Sequence, residues 1–85
     1  MAKYEIEFRK SVEKDLRSIP KKDQIRILAR INDLTAEPRP PSCKKLSGQE
    51  RYRVRQGNYR ILYEIHDGRL VIVVVRIGDR RDVYR

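Results

Sequence analysis

The sequence predicts an α+β fold in which an N-terminal helical hairpin packs on one face of an antiparallel β-sheet, with the elements in the order β-α-α-β-β-β. Three patterns predict it: an alternating apolar and polar segment at residues 3–8, apolar residues at helical spacing up to Leu34, and three further strand-like segments after Gly48. At 85 residues the chain has room for one hydrophobic core, so residues 1–85 are expected to form a single domain.

The first half of the chain contains the opening strand and the hairpin. Residues 3–8 alternate strictly, which predicts a half-buried strand. From Ser11 the apolar residues recur every three or four positions, which predicts a helix to about Ser18. Pro20 suits the first turn of a second helix, where its missing N–H costs little. The apolar stripe of that helix is predicted to be Ile27, Leu28, Ile31 and Leu34, and the loop that ends it contains three of the four prolines.

The second half of the chain predicts three strands joined by two turns. Period-two alternation at residues 52–55 is followed by a turn at residues 56–58, and the alternation resumes from Tyr59 to Ile65. The sequence His66-Asp67-Gly68 predicts the second turn. The β-branched run from Leu70 to Ile77 is typical of a central strand that is covered on both sides.

The charge balance indicates an anionic partner. The chain has 21 lysines and arginines against 12 aspartates and glutamates, a net charge of +9 at neutral pH, which favours encounters with nucleic acid, an acidic protein, or both. Cys43 is the only cysteine, so an internal disulfide is excluded. The N-terminus lacks the apolar segment of a signal peptide and no apolar run is long enough to span a membrane, so a cytoplasmic location without membrane attachment is expected.

Most familiar catalytic arrangements are disfavoured by composition. The single histidine, His66, falls in a predicted turn, and Cys43 lies beside the proline loop, which disfavours a Cys-His or Ser-His-Asp centre. Histidine pairs for zinc are absent, and Asp79 and Asp82 are the nearest approach to an acidic metal site. All four glycines fall at predicted turns, so a glycine-rich phosphate loop is not predicted. We therefore expect neither a metal nor a cofactor.

The remaining candidates are arginines that lie near an aromatic residue. Arginine holds phosphate oxygens in pairs and is permanently charged, so these residues suit RNA. Because arginine cannot act as a general base at neutral pH, Tyr84 is the candidate for removing a proton from a ribose 2′-OH, with its pKa lowered by the arginines. A solvated basic rim with Tyr84 packed at the sheet edge is the alternative. The candidates are Arg53, Arg55, Arg60, Arg80, Arg81 and Tyr84.

Two blocks of sequence resemble a known family. The segment from Tyr52 to Tyr63 (YRVRQGNYRILY) and the segment from Ile77 to Arg85 (IGDRRDVYR) resemble the RelE/ParE toxin superfamily, specifically its RelE branch. The opening strand, the helical hairpin and Lys45-Leu46 are similar as well, so the likeness spans nearly the whole chain. It implies a RelE-like fold and the toxin of a type II toxin–antitoxin system. The implied activity is a metal-independent, ribosome-dependent endoribonuclease that cuts messenger RNA by 2′-OH attack on the adjacent phosphate.

The resemblance also implies roles for individual residues. Arg60 matches the phosphate-stabilising arginine of the family, Arg80 the second arginine of the cluster, and Tyr84 the tyrosine that stacks on a base and is a proposed general base. Basic residues that bind RNA in the family are matched by Arg53 and Arg55. The remaining positions expected to add RNA-binding charge are Lys45 and Arg81.

Two substitutions depart from the family pattern. Asp79 stands where relatives frequently have histidine or lysine, so its negative charge is expected to weaken the local positive field. Arginine at positions 53 and 55, where relatives often have lysine, moves the proton-transfer role toward Tyr84 or ribosomal groups. The C-terminal helix of some relatives has no counterpart after Tyr84.

The implied partners are the ribosome with its messenger RNA and a RelB-like antitoxin whose toxin-binding segment is acidic. Operator DNA is expected to be contacted only indirectly, through the antitoxin. Two alternatives stay open. A ParE-like toxin would inhibit DNA gyrase without nuclease activity and would not require Arg80 and Tyr84, and a non-catalytic RNA or DNA binder would use the basic surface alone.

Overall fold

The structure, a computed structural model, describes residues 3–46 and 50–79, and within them two helices and five strands follow the order β1-α1-α2-β2-β3-β4-β5. The strands form one sheet in the order β1-β5-β4-β3-β2. The elements are β1 (Glu5–Phe8), α1 (Lys10–Arg17), α2 (Lys21–Asp33), β2 (Lys44–Leu46), β3 (Arg51–Gln56), β4 (Tyr59–His66) and β5 (Val71–Asp79).

The predicted α+β class with an N-terminal pair of helices is confirmed, with two corrections to the sheet. It is mixed rather than antiparallel, because β1 pairs with β5 in parallel, Glu5 opposite Val71 and Phe8 opposite Val74. The intervening helices and strands provide the long crossover that a parallel pair requires. The sheet also contains β2, antiparallel to β3, which is three residues long and too short to show a period.

The core lies between the two helices and one face of the sheet. Leu28, which the sequence assigned to the apolar stripe of α2, is 41% exposed, because the buried stripe follows the spacing i, i+4, i+7. Among the described residues, neither α1 nor α2 is long and apolar enough to cross a membrane. The helical contribution to the core is Val12, Ile19, Ile27, Ile31 and Leu34, and the sheet contributes Tyr52, Val54, Ile61, Tyr63, Ile65, Ile72, Val74 and Ile77.

A buried tyrosine ties the proline loop to the core. Tyr63 is fully buried and its hydroxyl donates a hydrogen bond of 2.7 Å to the carbonyl oxygen of Pro38. Burial raises the pKa of the Tyr63 hydroxyl, so it stays protonated and remains a donor. The loop between α2 and β2 is thereby held against the sheet.

The two predicted turns are present, and the second differs in extent. Gly57 has φ of 60° in the two-residue turn between β3 and β4, a conformation that glycine adopts without steric cost. Leu70 has φ of 53°, so it belongs to the second turn and β5 begins one residue later than predicted.

Near the middle of β5 the register shifts, with Leu62 opposite Arg76 but Tyr63 opposite Val74. Such a bulge bends the strand.

Helix α1 completes the edge of β5 that β1 leaves uncovered. Strand β1 ends opposite Val74, and beyond this point polar side chains of α1 bind the β5 backbone. Ser11 Oγ donates to the carbonyl of Val75 at 3.2 Å, and Asp15 Oδ2 accepts from the N–H of Ile77 at 3.0 Å. Backbone groups at a sheet edge need such partners when they are withdrawn from water.

Candidate active site

The face of the sheet opposite the core carries a row of arginines. Directly opposed residues of an antiparallel pair share a face, and Tyr52, Val54 and Ile61 mark the core face. The residues between them therefore project from the other face, which we call the arginine face. On β3 and β4 its members are Arg51, Arg53, Arg55, Arg60, Leu62, Glu64 and His66.

Three of the predicted site residues come together on the arginine face. Arg55 lies directly opposite Arg60, and Arg53 lies one step along β3, opposite Leu62. The surrounding structure leaves only 8% of Arg53 and 4% of Arg60 exposed, whereas Arg55 is exposed. Like charges directly opposed across two strands repel each other, so an anion beside this pair would be bound favourably.

Lys45 lies apart from these arginines. Its register partner is Tyr52, a core residue, so Lys45 projects from the helix-covered face and pairs with Glu50 at 3.3 Å. The neighbouring Lys44 lies opposite Arg53 and shares its face instead. The role of Lys45 in RNA binding stays a prediction, and in a three-residue strand the sequence pattern does not show which lysine faces the arginines.

The other predicted site residues, Arg80, Arg81 and Tyr84, lie outside the described residues. They follow β5 in sequence, and near its end Gly78 is the register partner of Arg60. The next residue, Asp79, lies opposite Tyr59 on the helix-covered face. Asp79 was expected to weaken the positive field of the site, and the register instead directs its carboxylate away from the arginine face.

A charge network that sequence reasoning missed occupies the far end of the arginine face. The Glu64 carboxylate accepts from Arg51 Nε at 2.9 Å and contacts His66 Nε2 at 3.1 Å and an Arg9 guanidinium nitrogen at 3.5 Å. Partial burial by itself would raise the pKa of Glu64, but the hydrogen bonds from Arg51 and His66 and the nearby positive charges outweigh it and lower the pKa. The i, i+2 spacing of Glu64 and His66 on one strand is a signal that would have shown this contact.

His66, the only histidine of the sequence, belongs to this network and lies far from Arg60. His66 lies six residues along β4 from Arg60. At about 3.3 Å per residue the two positions are roughly 20 Å apart. His66 is therefore too distant to take a proton at a phosphate bound by Arg60.

A shallow cavity of about 780 Å³ opens between α1 and the arginine face. Its walls combine cationic, polar and apolar side chains with the carboxylate of Asp15. The lining residues are Ser11, Lys14, Asp15, Ser18, Arg51, Leu62, Val75 and Arg76.

Comparison with known proteins identifies the family. The family model described as the ParE toxin of the type II toxin–antitoxin system parDE matches residues 6–84. Toxin RelG of Mycobacterium tuberculosis is 33% identical, and the aligned region covers 96% of this chain and 97% of RelG. The chain belongs to the RelE/ParE superfamily of type II toxins, and its named relatives make it a RelE-like toxin, as the sequence resemblance indicated.

Solved structures confirm the RelE-like fold. The archaeal RelE–RelB complex from Pyrococcus horikoshii contains a chain that is 32% identical and superimposes with a TM-score of 0.83, over 96% of this chain and 99% of that one. A chain of the RelBE2 toxin–antitoxin complex from Mycobacterium tuberculosis is 27% identical, with a TM-score of 0.81 over 92% and 99% of the two chains.

Proposed function

We propose that this toxin is a metal-independent endoribonuclease that cuts messenger RNA in the decoding site of the ribosome. The observation that carries the proposal is the placement of Arg53, Arg55 and Arg60 on one face of the sheet, with Arg60 beside the end of β5. The chain continues from that end to Arg80 and Tyr84. A phosphodiester bound on this face would meet guanidinium groups from both neighbouring strands.

The chemistry follows from the available groups. The ribose 2′-oxygen attacks the adjacent phosphorus and the bond to the 5′-oxygen of the next nucleotide breaks. That oxygen takes a proton from water, and the products are a 2′,3′-cyclic phosphate and a 5′-OH. Charge accumulates on the phosphate oxygens in the transition state, where Arg60 and Arg80 would stabilise it. Since arginine holds its proton and His66 is remote, Tyr84 is the proposed proton acceptor.

The partners belong to the same proposal. The relatives from Pyrococcus horikoshii and Mycobacterium tuberculosis were solved as toxin–antitoxin complexes, RelE with RelB and RelBE2 respectively. We propose a RelB-like antitoxin with an acidic segment for this chain, since a net charge of +9 favours such a segment. Contact with operator DNA would be indirect, through the antitoxin, and the reaction would occur in the cytoplasm, on ribosomes.

The test is primer extension on a defined messenger in a purified translation system. Added protein is expected to create new 5′ ends within decoding-site codons only when ribosomes are present. The downstream fragment should carry a 5′-OH, which a polynucleotide kinase labels without prior phosphatase treatment. A 5′-phosphate would instead indicate hydrolysis by water and contradict the 2′-OH mechanism.

The second candidate is inhibition of DNA gyrase, which the ParE description of the matching family model favours. The same purified protein should then block supercoiling by gyrase. Intact messenger, together with growth arrest in cells and loss of supercoiling in the gyrase reaction, would replace the nuclease proposal by this one.

A further inference from the structure

A second basic surface adjoins the arginine face where β3 extends past the beginning of β2. Strand β2 begins at Lys44, opposite Arg53, whereas β3 continues to Gln56. The step between the two strand ends forms a cavity of about 320 Å³. We call it the edge pocket, and its lining residues are Arg30, Ser42, Lys44, Arg53 and Arg55.

The composition of the edge pocket indicates an anionic ligand. Among the residues that the structure describes, five line the pocket, of which four are cationic and none is a carboxylate. Three other cavities on the described surface each include at least one aspartate, Asp15, Asp23 or Asp79. Positive side chains that converge on one pocket attract an anion.

The edge pocket also has a fixed donor on its helical side. An Arg30 guanidinium nitrogen donates to Ser42 Oγ at 2.6 Å, which anchors the arginine of α2 to the proline loop. The remaining donors of that guanidinium are arranged in a planar fork, which matches two oxygens of a phosphate. A side chain held in this way loses less conformational entropy when a ligand binds.

We propose that the edge pocket binds a phosphodiester of the RNA strand, next to the one that is cut. This inference rests on the proposed ribonuclease function and adds Arg30, Ser42 and Lys44 to its binding surface. Arg55 connects the edge pocket to the proposed cleavage site, because it lines the pocket and is also the register partner of Arg60. The volume equals that of roughly ten water molecules, which leaves room for a sugar–phosphate unit.

The test uses 2′-O-methyl RNA oligonucleotides of two to six nucleotides, which lack the attacking hydroxyl and so bind without being cut. Affinity of the wild-type protein should rise about tenfold at the length where the added phosphate reaches the pocket. The double variant Arg30→Gln/Lys44→Gln should lose that step. The matched control Arg17→Gln/Lys22→Gln removes the same charge at two exposed residues outside the pocket and should retain the step.

The double variant also removes the hydrogen bond between Arg30 and Ser42, which could lower affinity by disturbing the loop. The single variant Lys44→Gln changes an exposed side chain, keeps that hydrogen bond, and should lose part of the increase in affinity. Equal length dependence in the wild type and in both pocket variants would overturn the proposal, as would a wild type without length dependence. Loss of affinity for an aspartate-rich peptide while oligonucleotide binding is unchanged would assign the pocket to a protein carboxylate and overturn it as well.

The outcome is distinguishable from failure of the nuclease proposal. Primer extension with the double variant reports cleavage, whereas the length series reports binding. If the wild type cleaves messenger but its affinity shows no increase with oligonucleotide length, the edge-pocket proposal is rejected and the nuclease proposal stands. If affinity increases at one length but messenger stays intact, the edge pocket binds RNA on a protein that does not cut it, and the nuclease proposal is rejected.

Discussion

At the scale of single residues, the arginine face shows what an alternating sequence reveals and what it hides. The alternation of Tyr52 and Val54 with Arg53 and Arg55 predicts a shared face for the two arginines, because side chains alternate along any strand. The burial of Arg53 and Arg60 is not visible in that pattern, since alternation assigns a side chain to a face and does not show what covers that face.

The proposed catalytic residues give the first prediction. Tyr84→Phe keeps the ring for stacking but removes the ionisable hydroxyl, and it should lower the rate of messenger cleavage about 10²-fold or more. Arg60→Ala should lower it about 10²- to 10³-fold through loss of charge stabilisation in the transition state. Single-turnover cleavage on programmed ribosomes measures both.

Arg60 is nearly buried, so its substitution requires a control for folding. Arg60→Lys retains the charge without the planar fork and should be less impaired than Arg60→Ala, and thermal unfolding would show whether each variant is folded. If Tyr84→Phe and Arg60→Ala cleave as fast as the wild type while remaining folded, the proposed site is wrong.

Glu64 gives a pH-dependent prediction. The pKa of its carboxyl is lowered from an ordinary value of 4.5, so the folded state binds the proton less readily than the unfolded state does. The resulting stability is fully present above about pH 5 and is lost as the pH falls through the lowered pKa of the folded state. Glu64→Gln removes this titration, so the stability of the wild type relative to the variant should decrease between pH 6 and pH 3.

Urea unfolding of both proteins across that pH range measures the difference. Glu5→Gln, at an exposed position of β1, serves as the control, because Glu5 forms no ion pair with any residue in the ranges 3–46 and 50–79. A constant difference between wild type and Glu64→Gln at all pH values would show that the network with Arg51 and His66 does not form in solution.

At the scale of elements, the helices and long strands were predictable and the pairing of strands was not. The helical spacing after Ser11 and the β-branched run before Ile77 are local signals, and each led to the correct type of element. The parallel pairing of β1 with β5 joins segments more than sixty residues apart, so no local period encodes it. Strand β2 is too short for a period, so the sequence pattern does not show that Lys44, rather than Lys45, shares a face with Arg53.

Helix α1 provides the element-scale prediction. Asp15→Ala removes the acceptor for the N–H of Ile77 and should lower the free energy of unfolding by about 1–2 kcal/mol. The amide of Ile77 should also exchange with solvent faster than in the wild type. Glu13→Ala, on an exposed position of the same helix, is the matched control and should change stability by less than about 0.5 kcal/mol.

Unchanged protection of the Ile77 amide in Asp15→Ala would show that α1 does not complete the edge of β5. Because β5 leads to Arg80 and Tyr84, a loosened edge is further expected to reduce messenger cleavage while leaving the arginines of β3 and β4 in place.

At the scale of the whole molecule, the net charge of +9 is expected to strengthen binding to an anionic partner. The logarithm of the RNA binding constant should fall linearly with the logarithm of the salt concentration, with a slope of about −0.7 for each phosphate contacted on a single strand. Contacts of Arg53, Arg55 and Arg60 with three phosphates would therefore give a slope of about −2. The edge pocket would make the slope steeper by a further 0.7. Titrations of 2′-O-methyl RNA at several salt concentrations measure it.

An oligonucleotide of the same sequence with an uncharged backbone is the control for that slope. Its binding should be weak and nearly independent of salt, because it releases no counterions. A salt-independent affinity for the charged oligonucleotide would mean that the +9 surface serves another partner, such as the antitoxin.

The position of β5 has a consequence for synthesis of the chain. This strand lies between β1 and β4, yet it follows every other strand in sequence. While residues 71–79 are still inside the exit tunnel of the translating ribosome, β1 has no neighbour to pair with, and Arg60 lacks the strand that flanks it. Nascent chains grow at about 5–20 residues per second, so the unfinished polypeptide spends seconds without its site. The arginine face is therefore flanked by β5 only after this last strand has left the ribosome.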